Sequence, residues 1–485
     1  VYRSRALGLL LALGLGLRLL YGLAQDPLAP YGRTGGDDPW YLANALALVT
    51  NAPPGTTIHG IYTDVRGLNQ PPVFFIAAGT AQALLPPGPA VVALRFAHAL
   101  ATTAVALFGF GLAARLVGGM PGADARRARR AGLIAAGALA LSPALILESA
   151  QVKTESLYVF FVTGGVWAYI EALARSRGPH PRPLSHAPYP PAPTRTQTSP
   201  PNPLSNLERG LGGAWRWWML AGALLGLATL TRAVFLLFPL ALAVFTPFAL
   251  GWRPGWKPAL ALLGVYAAVV LSWSAYNFAR YQRIVIAGTG LPAFLYIGAT
   301  GWDDPAEVDR RLEEALGPAE AGSPTSGDFL NAAGSAIGAD VPGYIARRLG
   351  ELGGALLQPH NVEVFPGASL RGMALLWWES DRSPGGLIGL SEGDSFWPKL
   401  LLYLFHFTAW TAGIAGMLRT GRNWRVAAPL LGFIAYTLLI HLFLLALPRY
   451  LFPVMPFVWA FAAVALSGLV REESRAARTE KASSI

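Results

Sequence analysis

The chain is built from long apolar runs whose ionisable residues gather at the run ends and are sorted by sign from one set of ends to the other. A run of roughly 18 or more apolar residues is long enough to cross a hydrocarbon core of about 30 Å. Ten stretches qualify: residues 6 to 24, 91 to 114, 131 to 149, 156 to 174, 216 to 231, 233 to 250, 258 to 276, 396 to 417, 426 to 446 and 450 to 470. With ten crossings, one side of the membrane carries 22 Lys/Arg against 6 Asp/Glu and the other 16 against 21, net charges of +16 and −5 within a total of +11. The basic side holds Arg3, Arg5, Arg115, Arg126 to Arg130, the basic residues from Arg175 to Arg216, Arg253, Lys257, Arg419 to Arg425 and the tail from Arg471 to Lys481. Lys and Arg are retained in the cytoplasm, so the acidic face is assigned outside and both termini inside. The predicted fold is an all-α polytopic membrane bundle.

This sorting narrows the chemistry. A basic excess also suits nucleic acid, but here the cations sit at span ends beside anionic headgroups, so no nucleic-acid partner is expected. The absence of cysteine excludes disulfides, thiolate metal sites and a cysteine nucleophile. The run from 6 to 24 continues past Arg18 to Tyr21 without a convincing small-residue cleavage site, and is read as an anchor.

The chain divides into a transmembrane core at 1–276, an extracytoplasmic lobe at 277–397, C-terminal spans at 398–470 and a cytoplasmic tail at 471–485. Within the core, the first outer loop runs from 25 to 89. It contains a stretch from Pro71 to Leu85 too short to cross, read as an interfacial helix, and a second helix from Pro39 to Val49 with Trp40 and Tyr41 at headgroup level. Residues 178–213 are dominated by Pro, Ser, Thr and Arg and read as a disordered cytoplasmic insert. The lobe is expected to hold charged helices at Pro305 to Leu316 and around Pro342 to Leu357.

Several outer-face residues could carry chemistry. Asp37 and Asp38 follow two glycines at a helix start, where backbone N–H groups hold carboxylates ionised; the bland reading is a helix cap. Glu155 lies in a polar break after Lys153, with Glu148 about two turns earlier, and the bland reading pairs Lys153 with one of these glutamates. Arg232 and Arg449 share an outer depth, which suits an anion site, although either alone could snorkel to the interface. His59, His98, His360, His406 and His441 show no metal-ligand spacing and read as packing residues.

Taken in order, these pieces resemble the C-type glycosyltransferases, membrane enzymes that take sugar from polyprenyl-phosphate donors. Within them the chain is similar to the branch of protein O-mannosyltransferases, aminoarabinose transferases and lipopolysaccharide sugar transferases. The resemblance rests on Asp37-Asp38-x-x-Tyr41, Gln70-Pro71-Pro72, Leu94-Arg95, Leu141-Ser142-Pro143, Thr154-Glu155, Leu230-Thr231-Arg232, Tyr276-Asn277 before Tyr296-Ile297-Gly298, and Arg449-Tyr450 followed by Pro453 and Pro456. It implies a C-type bundle in the plasma (inner) membrane with an extracytoplasmic active site. It implies Asp37 as catalytic base, with Asp38 in place of a more usual glutamate and Glu155 as the acidic residue of the second outer loop. Tyr41, Lys153, Arg232, Arg449 and Tyr450 would bind substrate. The acceptor would be a lipid, glycan or protein, the transfer inverting. Gln70 stands where aminoarabinose transferases carry lysine, which argues against that activity. Some relatives use a divalent metal between acidic loops, but no Asp-x-Asp pair stands here, so no metal or other cofactor is expected. The rival reading is a transporter or lipid flippase, which would show repeated broken helices with binding groups at the midplane.

Overall fold

The computed structural model describes residues 4–32, 38–50, 71–177, 203–282, 284–288, 290–301, 310, 326–393 and 395–468, and all regular structure among them is helical. Among the described residues eight helices are long and apolar enough to cross a membrane: Arg5–Ala24, Pro87–Gly118, Glu155–Ser176, Ala233–Leu250, Trp252–Ala279, Phe396–Arg419, Trp424–Phe443 and Pro448–Gly468. The expected run at 131–149 is a bent pair, Ala125–Ala140 and Pro143–Ser149, that makes a ninth. The run at 216–231 lies in the helix Pro203–Thr229, so the last part of the stretch read as a structureless insert is helical instead. Residues 178–202, the helix expected at 305–316, Asp37, Gln70 and the tail lie outside the described residues.

The bend in the pair is 49° and has a local cause. Pro143 cannot extend the preceding helix, but it suits the first turn of a new one, where Ser142 Oγ accepts from Leu145 N at 3.4 Å. The carbonyls freed at the end of the first half would be unsatisfied in an apolar setting. Arg18 of the first span takes them, donating to Leu139 O at 3.0 Å and Ala140 O at 2.7 Å, and also to Thr102 Oγ1 at 2.9 Å and Gly14 O at 2.9 Å. Arg95 does the same at the C-terminal end of the bent pair, donating to Ala150 O and Gln25 O at 2.9 Å and to Asp26 O at 3.1 Å. Two buried arginines thus close helix ends that the sequence breaks.

The first outer loop forms the helices Asp38–Thr50 and Pro72–Leu84. At about 1.5 Å per residue, 13 residues span roughly 20 Å, short of a crossing. The two pack closely because Gly79 has no side chain: a Cβ there would lie 2.1 Å from Ala45 O. Gln82 Nε2 donates to Leu42 O at 2.9 Å, and Val73 N donates to Leu230 O at 3.0 Å, tying this loop to the turn that carries Arg232.

The lobe helices Leu291–Thr300, Ser326–Ala339 and Val341–Leu357 meet the break between the last two spans. Tyr296, Phe329, Ala333 and Tyr344 share a core with Leu445 and Tyr450. Tyr344 Oη donates to Phe443 O at 2.9 Å, and Arg348 donates to Leu444 O. The lobe is therefore fixed directly against the segment bearing Arg449 and Tyr450.

Candidate active site

Glu155 is the first residue of its helix, where the exposed backbone N–H groups favour a carboxylate. Its side chain is 1% exposed, and Arg232 Nη2 donates to Oε1 at 2.6 Å. Arg232 sits in the tight turn after the helix Pro203–Thr229, held by its own N–H on Ala228 O at 2.9 Å. Its guanidinium lies 4.9 Å from the ring centroid of Tyr450 and 5.8 Å from that of Tyr158. Tyr450 in turn stacks on His441 with centroids 5.1 Å apart, and Arg449 Nη2 donates to Tyr450 Oη at 3.2 Å. Snorkelling is thus not what holds Arg232: it is a buried ion-pair partner with an aromatic face on each side.

The charges acting on Glu155 are Arg232, then Arg449, Lys153 and His360. Tyr41 falls within the field of Arg232. Of the candidates drawn from sequence, Glu155, Arg232, Tyr450 and Arg449 are joined by contacts from three separate stretches of chain, Lys153 lies two residues before Glu155, and Tyr41 lies within the electrostatic reach of Arg232. Asp38 is buried at its helix start and faces Arg95 rather than Arg232. Asp37 adjoins it but lies outside the described residues.

The local pairing of Lys153 with Glu148 or Glu155 does not form. Lys153 is half-buried and makes no hydrogen bond or ion pair with any described residue. Glu148 is fully buried, with His360 Nε2 2.7 Å from Oε2 and Asn361 Nδ2 donating to the same oxygen at 3.2 Å. Asn361 Oδ1 accepts from Gln151 Nε2 at 2.6 Å, and His98 Nδ1 is 3.0 Å from Gln151 O. With Arg95 on Ala150 O, the short loop carrying Lys153 is held along its length.

Sequence reasoning read His360 and His441 as packing residues, and missed Asn361, Tyr158 and Arg95 as parts of this framework. His360 is a partner of Glu148 and His441 a platform for Tyr450. No spacing signal marks the pair of Glu148 and His360, which are 212 residues apart. Among the described residues no three His, Cys, Asp or Glu side chains are grouped to hold a metal ion.

The arrangement can bind an anion. Arg232, in contact with Glu155, Tyr158 and Tyr450, and Arg449, in contact with Tyr450, set two guanidinium groups around one tyrosine where water only partly reaches the charge and attraction is weakly screened.

No protein-family model matches the chain, and no curated protein matches it in sequence. Solved structures do match it. The oligosaccharyltransferase AglB of Archaeoglobus fulgidus, solved with an inhibitory peptide and a dolichol-phosphate, superposes with a TM-score of 0.52 at 15% identity, over 98% of this chain and 51% of that one. The apo form of the A. fulgidus oligosaccharyltransferase gives a TM-score of 0.51 at 16% identity, over 98% and 51%. ArnT of Cupriavidus metallidurans bound to undecaprenyl phosphate superposes loosely, at a TM-score of 0.33 and 15% identity over 95% and 76%. The chain spans about half the length of the archaeal structures it matches, 51% of each. In fold the chain stands with the archaeal oligosaccharyltransferase, a C-type glycosyltransferase.

Proposed function

We propose that this protein is an inverting, membrane-embedded glycosyltransferase that moves a sugar from a polyprenyl-phosphate donor to a lipid, glycan or protein acceptor on the extracytoplasmic face. The observation that carries the reading is the run of contacts from Glu155 through Arg232 and Tyr450 to Arg449, with Lys153 two residues before Glu155. In this reaction an acceptor hydroxyl attacks the anomeric carbon while the bond from that carbon to the phosphate oxygen breaks. The hydroxyl proton passes to the Asp37 carboxylate, and the bonding electron pair leaves with the phosphate. The donor is a phosphodiester of charge −1 and the departing polyprenyl phosphate approaches −2, so fixed cations at the site favour the transition state. Arg232, buffered by Glu155 and braced by Tyr158 and Tyr450, fixes the geometry, while Arg449 and Lys153 meet the growing charge. The dolichol-phosphate held by the archaeal structure is a lipid phosphate of the class proposed. The absence of an Asp-x-Asp pair favours action without a metal.

The test incubates purified protein with a panel of radiolabelled polyprenyl-phosphate sugars and membrane acceptors, with and without a chelator. Chelator-resistant label transfer that Asp37→Asn abolishes is the expected result. Lipid translocation between leaflets without transfer would make the protein a flippase instead. The proposed sidedness is checked in intact cells with an impermeant thiol reagent: Gly317→Cys is expected to label and Ala128→Cys to stay protected. The reverse would turn the site to the cytoplasm.

A further inference from the structure

Between the lobe and the span Phe396–Arg419, the helices Leu370–Glu379 and Pro384–Ser391 form a hairpin in which neither helix buries a side chain. It is nevertheless well built. Ser369 Oγ caps Gly372 N and Ser383 Oγ caps Gly386 N, both at 3.1 Å, and Trp377 Nε1 donates to Ser383 O at 2.9 Å across the turn. Its entry is clamped to the span by Lys399, whose ammonium donates to Pro366 O at 2.7 Å, Gly367 O at 3.0 Å and Ala368 O at 2.8 Å. A rigid hairpin that exposes Leu375, Leu376, Trp378, Leu387 and Ile388 needs a cover.

We infer that this hairpin is a membrane-docking element, seated in the headgroup and upper acyl region of the leaflet on the candidate-site side. Two observations select lipid. The hairpin packs on a span that exposes Trp397, Leu401 and Leu404 and whose apolar window is only 22% buried inside the protein and so faces lipid. The tryptophans sit where the polar turn meets the apolar faces, with the Arg382 guanidinium 4.6 Å from the Trp378 ring centroid, the pattern of an interfacial anchor with its cation toward phosphates. The leaflet follows from packing: Val362 and Phe365, just before the hairpin, share a cluster with Leu147 and Leu402, and the neighbouring His360 meets Glu148. The inference does not depend on the proposed reaction.

The cysteine-free chain allows a direct test on the full-length protein in liposomes of phosphatidylethanolamine and phosphatidylglycerol. Nitroxide labels are attached to Leu376→Cys and Ile388→Cys, with Asp381→Cys at the turn as the polar reference and Leu404→Cys as the acyl-chain reference. Collision with oxygen is compared with collision with a water-soluble nickel chelate. Labels at 376 and 388 should rank with 404, preferring oxygen, at a depth of about 5 to 10 Å below the headgroup boundary. Labels that rank with 381 and meet the nickel chelate freely would overturn the inference. So would spin–spin broadening between labels at 376 that grows with the protein-to-lipid ratio, because the cover would then be a second copy.

Discussion

The helix Glu155–Ser176 carries a buried glutamate near each end, and the two ends are built differently. Glu171 is 1% exposed and meets Arg115 through two hydrogen bonds, Nε to Oε1 at 2.9 Å and Nη2 to Oε2 at 2.7 Å, with Arg175 Nη2 at 3.3 Å. Both arginines reach outward, 41% and 37% exposed, so water shares their charge. Glu155 is equally buried but its arginine is too, at 13%, and two further cations stand in its field. The first end is an ion triad that ties two helices near the basic loops. At the second, the carboxylate holds Arg232 against the ring of Tyr450, on which Arg449 also converges. The same residue types on one helix thus make a fastener at one end and, in the proposed reading, an anion receptor at the other, and the two ends differ in how far water reaches the arginine that meets the carboxylate.

The sharpest way to break this contrast is Asp37→Asn. If the Glu155 end is catalytic, the acceptor hydroxyl still needs a base, and losing it should reduce transfer by about 100-fold to 10,000-fold with folding intact. Asp38→Asn should be milder, since Asp38 faces Arg95. Full activity of the Asp37 variant with a dead Asp38 variant would shift the base by one residue.

Next comes Arg449→Gln, which should weaken donor use by about 2 to 5 kcal/mol as read from rates at limiting donor, with Lys153→Gln acting in the same direction. Near-normal rates for both variants would remove the anion-receptor half of the comparison. Arg115→Gln tests the other half: it should leave the donor dependence unchanged and lower thermal stability by about 1 kcal/mol, because Arg175 remains on Glu171 and water screens the pair. A change in apparent donor affinity without a change in stability would mean the two ends are coupled. The smallest effect is expected from deleting residues 178–202 and rejoining with a short flexible linker, which should leave insertion and transfer near the parental level.

Much of this architecture is legible in sequence because a bilayer permits so few backbone solutions. Apolar run length places eight of the ten expected spans on helices long and apolar enough to cross and a ninth on the bent pair, since uninterrupted runs in lipid can hardly be anything else. The site is partly legible for a related reason: an ionisable residue at a span end is costly enough to be noticed singly, as Glu155, Arg232 and Arg449 are. Which groups pair is not legible. Lys153 is the near neighbour of two glutamates and takes neither, because Glu155 points to a turn 77 residues away and Glu148 to a loop 212 residues away. The bend at Ser142 carried a readable signal, a capping serine followed by proline, hidden by an apolar run that continues through it.

Arg18 has a consequence for biogenesis. Its side chain is 1% exposed and is satisfied by Thr102 and by carbonyls 121 and 122 residues downstream, groups that do not exist when the first segment leaves the ribosome. An arginine in a crossing helix opposes translocon insertion by about 2.5 to 3.5 kcal/mol at the helix centre and less toward an end, where it can snorkel. The newly inserted first segment must therefore wait in a provisional position, its guanidinium turned to the headgroups. It settles only when the bent pair arrives and presents the open end at Ala140. The span Arg5–Ala24 is thus among the last to reach its final seat, and truncating translation before residue 140 should leave it prone to slip from the membrane.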